Sequence, residues 1–243
     1  MVLLGHGNAY FCCQNADTGW NMSHRITAII PAFNEHERIV PIVDEAKRYV
    51  NEVIIVDDGS DEDSYRFLET LKDRTIVLRH RINLGKGSAL RTGIAAAIAR
   101  HADVIVLMDA DGQHKPSDIP RLVEALEEKQ VDIVFGSRKI GGSMPAAMRL
   151  GNHFFSVATN LLFRIYVSDT QSGFRAFRAA VYPKLEWQSP RYAAETEMVV
   201  NAGKHRLRHC EVPIDTIYHD KYKGTTVFDG IRIFLSMLLW RFS

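Results

Sequence analysis

Five short apolar runs, spaced by helix-length segments, restrict this chain more than any other feature. They are RITAIIP, EVIIVDDGS, TIVLRH, ADVIVLMDAD and VDIVFGSR, all within residues 25–138. Each is rich in β-branched residues and too short for a helix of its own, so each reads as a strand. Between them, HERIVPIVDEAKRY, DEDSYRFLETLK, SALRTGIAAAIAR and SDIPRLVEALEE carry apolar positions at helical spacing, as Leu90, Ile94 and Ile98 do. Continuous apolar strands alternating with helices predict an α/β fold, a Rossmann-like, mostly parallel sheet with helices on both faces. Such sheets bind ligands beyond the carboxyl ends of their strands. PAFNE, VDDGS, DADGQH and GSR all fall at those ends.

The rest of the chain changes character. MRLGNHFFSVATNLLFRIY predicts a long helix over about 147–166 with a strongly apolar face. There Phe154, Phe155, Leu161 and Leu162 read first as core and second as a lipid contact. SDTQSGFRAFRAAVY reads as a loop leading into a short helix, with Arg175 and Arg178 as candidate solvated helix arginines. ETEMVVNAGK predicts a helix ending at Gly203, where Glu195 and Glu197 cannot share a face, and HRLRHCEVPI a strand interrupted by Pro213. DGIRIFLSMLLWRF places Ile231, Phe234, Leu235, Leu238 and Leu239 on one broad apolar face between Arg232 and Arg241. Two readings fit it equally on periodicity: an interfacial helix with Trp240 at headgroup level, or a helix docked on the core or on a second copy.

No apolar run reaches the roughly 18 residues of a transmembrane helix, and residues 1–24 lack the regions of a signal peptide. They read as an irregular extension, and Met22 would be a conventional start. A net charge of +1 gives no reason to expect nucleic acid, and three cysteines, two of them adjacent at Cys12 and Cys13, form no disulfide or zinc framework. A reducing, cytoplasmic setting fits. The division expected is an extension (1–24), a half of alternating strands and helices (25–140), a second half of different character (141–222) and an amphipathic C-terminal segment (223–243), within a single domain.

The familiar nucleotide fingerprints are missing. No G-x-G-x-x-G follows the first strand, and NLGKGS fails as a phosphate loop because His80 and Gly87 stand where a glycine and a hydroxyl residue are required. Carboxylates offer another route. In an extended segment Asp109 and Asp111 point to the same side and could converge on Mg²⁺ or Mn²⁺, which bridges phosphate oxygens. The same residues serve equally in an Asx-turn followed by a helix cap. For His114 a capping or supporting role is favoured over ligation.

PAFNE, VDDGSDEDS, NLGKGSALRTG, DADGQH, GSR and SDTQSGFRAF, in this order, resemble family 2 glycosyltransferases, and within them the polyprenyl- and dolichyl-phosphate hexosyltransferases. The resemblance runs from Arg25 to about Phe234 and implies a single catalytic domain of GT-A fold, with 25–140 as the nucleotide-sugar-binding half and 141–222 as the acceptor-binding half. It implies that Pro31, Ala32, Asn34 and Glu35 line the nucleotide pocket, that Asp57 contacts the base, with Asp58 and Ser60 supporting its turn, and that Lys86 and Gly87 lie beside the nucleotide. It makes Asp109, with Ala110 beside it, the first acid of the metal signature, Asp111 the principal metal ligand and Gln113 a further one, with Arg138 near the donor diphosphate. Arg149 and Ser156 become candidates for the acceptor phosphate. Asp169, Ser172, Gly173, Phe174 and Arg175 match D-x-x-S-G-F-R on the sugar and acceptor side, Asp169 and Arg175 as catalytic candidates. Glu195 and Glu197 match acidic positions of a later helix, and Lys221 and Lys223 a basic loop over the phosphates.

The implied activity is inverting, metal-dependent transfer of mannose or glucose from GDP-mannose or UDP-glucose to a polyprenyl or dolichyl phosphate. It places the protein peripherally on the cytoplasmic side of a membrane, where a second copy or a membrane protein is a compatible partner. A soluble or glycan acceptor, and a non-catalytic sugar-nucleotide scaffold, are the alternatives.

Overall fold

The computed structural model describes residues 24–138, 146–191, 193–216 and 227–242. Strands β1 (Ile26–Ala32), β2 (Glu52–Asp57), β3 (Ile76–Arg79), β4 (Val104–Leu107), β5 (Ile133–Arg138), β6 (Arg175–Arg178) and β7 (His209–Ile214) form one sheet, ordered β3-β2-β1-β4-β6-β5-β7. β1 is parallel to β2 and β4, β2 to β3, and β5 to β7, while β6 runs antiparallel to both of its neighbours. The helices are α1 (Ile39–Ala46), α2 (Glu62–Glu69), α3 (Lys86–Ala99), α4 (Ile119–Glu128), α5 (Ala146–Phe163), α6 (Tyr182–Leu185), α7 (Ala193–Lys204) and α8 (Val227–Phe242).

The period-2 geometry of a strand sends alternate residues to opposite faces. In β1, Ile26, Ala28 and Ile30 enter one core, and Ile29 enters the other. β2 divides Val53 and Ile55 from Ile54 and Val56, and β4 divides Val104 and Val106 from Ile105 and Leu107. Ile39 and Val43 of α1, Leu68 of α2 and Leu122 of α4 close the first core. Leu90 and Ile94 of α3, Phe155 of α5, Met198 of α7, and Ile233 and Met237 of α8 close the second. Each such fully buried aliphatic side chain contributes roughly 1.5–3 kcal/mol.

Several expectations are corrected. SDTQSGFRAF is not a loop leading straight into a helix: its RAFR segment is β6, wedged between β4 and β5. RAFR lacks β-branched residues, and its arginines look solvent-facing in sequence. In the fold Arg175 is buried and Arg178 meets Glu127 at 3.3 Å, so neither is a solvated helix residue. β7 runs through Pro213 without interruption; it is an edge strand, where a missing N–H is tolerated. β4 stops at Leu107, so strand alternation is not what aims Asp109 and Asp111. α3 begins at Lys86, two residues earlier than the pattern suggests. Phe155 is core as expected, whereas Phe154 and Leu161 are exposed.

α8 is docked on the core, and Phe234 and Trp240, expected on the apolar outer face and at headgroup level, are partly buried against the second core. One side docks Ile233 and Met237 into the second core, and the other leaves Ile231, Leu235, Leu238, Leu239 and Phe242 exposed. α5 exposes Leu150, Phe154, Val157 and Leu161 at the same i, i+4, i+7, i+11 spacing. Phe154 and Phe234 join the two helices, with ring centroids 5.1 Å apart. Among the described residues no helix is long and apolar enough to cross a membrane. Residues 1–23, including Cys12, Cys13 and Met22, lie outside the described residues, as do the 139–145 segment at the expected boundary between halves and the loop bearing Lys221 and Lys223.

Candidate active site

From β1 the sheet extends to β2 and β3 on one side and to β4 on the other, and this reversal of strand order opens a crevice beyond the carboxyl ends of β1 and β4. A cleft of about 470 Å³ lies there. Pro31, Ala32, Phe33 and Glu35 line it from the end of β1, Asp58 from β2, and Asn83, Gly85 and Lys86 from the start of α3. Asp109, Ala110 and Asp111 line it from the turn after β4, and Arg191 from the segment before α7.

Short polar links fix these loops. The Asn34 N–H donates to Ser60 Oγ at 3.0 Å, and Asn34 Oδ1 accepts the Asp61 N–H at 3.0 Å. Asn34 therefore laces the ends of β1 and β2 together, with a left-handed backbone (φ 55°) that asparagine tolerates. Asp58 accepts the backbone N–H groups of Leu84 and Gly85 at 2.9 and 2.7 Å and faces His80 Nδ1 at 2.8 Å, pinning NLGKG to the end of β2. Gly85 precedes α3 at φ 95°, where a Cβ would lie 2.3 Å from the Pro190 carbonyl oxygen. Asp57 is fully buried: Oδ1 accepts the Ser60 N–H at 3.1 Å, and Oδ2 lies 3.1 Å from Arg79 Nε. Gly87 is not a cleft residue; its carbonyl accepts the Trp187 indole N–H at 3.1 Å, tying α3 to the segment before α7.

The charged centre is a three-residue bridge. Lys86 Nζ lies 2.6 Å from Asp109 Oδ1 and 2.7 Å from Glu195 Oε1. Burial works to lower the Lys86 pKa, but Asp109 and Glu195 outweigh it and hold the ammonium above its ordinary value. Burial likewise works to raise Asp109, and the charges of Lys86, His114 and Arg138 outweigh it and keep the carboxyl below the usual range. Gly173 backs this acid: a Cβ there would lie 2.6 Å from Asp109 Oδ2. Asp111 Oδ1 accepts the Gln113 N–H at 2.9 Å, the Asx geometry that the sequence allowed. His114 is buried and stacks on Phe174, centroids 5.2 Å apart. Burial pushes its pKa down against the pull of Asp109 and Asp111.

The acceptor-side candidates occupy different surroundings. Asp169 is 1% exposed and grips Arg138 in a fork, Nε to Oδ2 at 2.6 Å and Nη2 to Oδ1 at 2.8 Å. Asp169 also accepts the Arg138 N–H at 3.2 Å and an Asn152 amide N–H at 3.0 Å. Arg175 donates to the carbonyl oxygens of Ser172, Glu195 and Thr170 at 2.8–3.0 Å and lies over Phe135. Burial lowers its pKa to about 10. It braces the backbone that carries Ser172 and Glu195 and does not line the cleft. Ser156 donates to the Asn152 and Ser168 carbonyls at 2.8 and 3.2 Å, buried within α5 packing. The Ser172 hydroxyl is buried without a hydrogen-bond partner among the described residues. Arg149 belongs to α5, and its side chain lies outside what is described. As the helical spacing required, Glu195 and Glu197 part company: Glu197 accepts the N–H groups of Gln188 and Ser189 at 2.9 Å each.

The fold thus gathers Pro31, Ala32, Glu35, Lys86, Asp109, Ala110 and Asp111 at one cleft and leaves Asn34, Asp57, Gly87, Gln113 and Arg138 off its wall. Phe33, Asn83 and Arg191 join it without having been singled out. Arg191 carried no local signal, since only tertiary folding lays the 189–191 segment on the start of α3.

Comparison with known proteins agrees with this geometry. The profile of Glycosyl transferase family 2 matches residues 27–185. A UDP-N-acetylglucosamine–dolichyl-phosphate N-acetylglucosaminyltransferase of Methanococcus voltae is 35% identical over 238 residues, covering 88% of this chain and 95% of that protein. An undecaprenyl-phosphate mannosyltransferase of Micrococcus luteus is 31% identical, covering 78% and 82% of the respective chains. Among solved structures, glucosyl-3-phosphoglycerate synthase of Mycobacterium tuberculosis, crystallised with Mn²⁺, UDP and glucosyl-3-phosphoglycerate, superposes with a TM-score of 0.69 at 19% identity. That match covers 90% of this chain and 80% of the synthase, and it supports the fold.

Proposed function

The chain belongs to glycosyltransferase family 2, and from that premise we propose that it transfers a hexosyl group from a nucleotide-sugar to a polyprenyl or dolichyl phosphate. The observation that carries this is the placement of Asp109, Asp111 and Lys86 in the crevice beyond β1 and β4, in a chain whose relatives are named for transfer to dolichyl and undecaprenyl phosphates. The relatives' names span N-acetylglucosamine and mannose, so the donor panel includes both beside glucose.

The charge of the cleft bears on the cation. Among the described residues four carboxylates, Glu35, Asp58, Asp109 and Asp111, face it against two basic side chains, Lys86 and Arg191. A nucleotide diphosphate adds negative charge to a wall that is already net negative, so Mg²⁺ or Mn²⁺ fits as counter-charge. Among the described residues no three or more His, Cys, Asp or Glu side chains are arranged to hold a metal by themselves. Asp109 and Asp111 would hold the ion, with Gln113 beside them and phosphate oxygens completing its shell. When bound, it supplies neutralisation of the departing diphosphate.

The chain's own part is positioning. A phosphate monoester is largely dianionic near neutral pH, with a second pKa of about 6, so the acceptor needs no general base. Its oxygen attacks the anomeric carbon as the bond to the diphosphate breaks, and the nucleoside diphosphate leaves with that electron pair, inverting the centre. Pro31, Ala32 and Glu35 hold the nucleoside, with Asn34 and Asp57 bracing their turn through Ser60, and Lys86 and Arg191 face the diphosphate. Asp169 acts through Arg138, which it orients, and Arg175 acts through the backbone of Ser172 and Glu195. Arg149, Ser172 and Lys221 stay assigned to the acceptor side, whereas Ser156, buried with its hydroxyl donated to the Asn152 and Ser168 carbonyls, braces α5 instead. The paired apolar stripes of α5 and α8 rest on the membrane surface that carries the lipid.

The test is incubation with radiolabelled UDP-N-acetylglucosamine, UDP-glucose and GDP-mannose, each with Mg²⁺ or Mn²⁺ and a short polyprenyl phosphate, followed by lipid extraction. Label enters the lipid phase from one donor and is lost in Asp111→Ala. No label from any donor, or full activity in Asp111→Ala, contradicts the proposal.

A further inference from the structure

Lys86 opens α3 inside the proposed donor cleft, yet its ammonium is spent on two carboxylates of the chain itself. Asp109 Oδ1 lies 2.6 Å away and Glu195 Oε1 2.7 Å away. The two acids come from distant parts of the chain, the turn after β4 and the first turn of α7. The Asp109 carboxylate as a whole sits against Gly173, where a Cβ would lie 2.6 Å from Oδ2 and 2.8 Å from Oδ1. Oδ1 of Asp109 is therefore paired with Lys86, and Asp111 has Oδ1 committed to the Gln113 N–H. Glu195 Oε2 is buried without a hydrogen-bond partner among the described residues, so the short contact of Lys86 with Oε1 is the direct ion pair that holds this carboxylate.

A lone divalent cation would have to expel Lys86 from a short ion pair whose two side chains are each only 22% exposed. It would then leave Lys86 without Asp109 and would find few oxygen ligands in return. A cation arriving with a diphosphate meets a different balance, because the phosphate oxygens complete its shell and give the ammonium a replacement anion.

We propose that Lys86 is a resident counter-cation that makes divalent-cation binding at Asp109 and Asp111 contingent on the nucleotide diphosphate. This rests on the donor-site reading given above. Lys86 is then a positioning residue: it keeps Asp109 and Glu195 assembled while the cleft is empty and turns to the diphosphate when the donor enters.

Equilibrium dialysis of the full chain against Mn²⁺, with and without UDP or GDP, tests this by reading protein-bound Mn²⁺. The wild type is expected to retain Mn²⁺ at least about tenfold more tightly with its diphosphate than without. Lys86→Met is expected to bind Mn²⁺ without any nucleotide at least about tenfold more tightly than the wild type, and Lys86→Arg to behave as the wild type does. Should Lys86→Met not fold, Lys86→Met/Glu195→Gln removes one charge of each sign and carries the same expectation. Diphosphate-dependent retention by the wild type together with unchanged nucleotide-free affinity in these variants overturns the role of Lys86 alone. Failure of the wild type to retain Mn²⁺ with either diphosphate overturns the donor-site reading and this proposal with it.

Discussion

Replacing Asp169 with Asn should cost the fold more than its modest change in shape suggests. Both carboxylate oxygens accept from the Arg138 guanidinium, Oδ2 from Nε at 2.6 Å and Oδ1 from Nη2 at 2.8 Å. Whichever position the amide nitrogen takes, a donor then faces a donor. The Arg138 and Asp169 side chains are 9% and 1% exposed, so water does little to relieve that donor–donor contact. Breaking a buried pair in this way costs about 3–5 kcal/mol. For a domain of this size each kcal/mol moves Tm by about 2–4 °C, so Asp169→Asn should melt roughly 6–20 °C below the wild type in far-UV circular dichroism. Arg138→Met/Asp169→Leu removes both charges and should recover much of that loss. A fall under about 2 °C in Asp169→Asn would refute the reasoning, because the fork between Arg138 and Asp169 would then not contribute what a buried ion pair does.

Other expectations follow from the same geometry. Gly173→Ala puts a methyl group 2.6 Å from Asp109 Oδ2; displacing that acid should lower kcat/KM by about ten- to a hundredfold while the protein stays folded. Unchanged steady-state kinetics would show that Asp109 does not need its present seat. Leu161 and Leu239 are 77% and 73% exposed, so Leu161→Glu/Leu239→Glu should leave Tm within a few degrees yet weaken sedimentation with anionic vesicles at least about tenfold. Equal sedimentation would remove the membrane role of α5 and α8. Burial pushes the Tyr182 hydroxyl up to about 12, above the value near 10 expected in the unfolded chain. The folded state then holds its proton more tightly, so this contribution is complete below about pH 10 and is lost as pH rises toward 12. Urea midpoints measured between pH 9 and about 11.5 should fall more for the wild type than for Tyr182→Phe, and parallel falls would contradict the assignment.

The parts of the fold that were legible in the sequence are those in which local pattern and tertiary role coincide. The strands from Ile26 to Arg138 are apolar on both faces because both are covered, and their polar ends mark the rim without any contact needing to be known. RAFR escaped because Arg175 is buried by satisfying backbone carbonyls across the chain, a compensation invisible in four residues. Arg191 escaped because glycines at the start of α3 let its segment lie against that helix. Asp109 and Asp111 were found by their residue type, but strand alternation ends at Leu107; turn geometry, Lys86 and Gly173 seat them. For α8, periodicity returned two readings because the helix has two apolar sides, one for the core and one exposed.

Whether the acceptor is a phosphate carried on a lipid is decided by a matched pair of acceptors. A short polyprenyl phosphate and the corresponding polyprenol, identical but for the phosphate, are offered with the active labelled donor and Mg²⁺ or Mn²⁺. Transfer to the phosphate and none to the alcohol is expected, because a phosphate oxygen is already anionic whereas a hydroxyl must first lose its proton. Transfer to the alcohol at a comparable rate, or to neither lipid while a soluble acceptor is glycosylated, would contradict it.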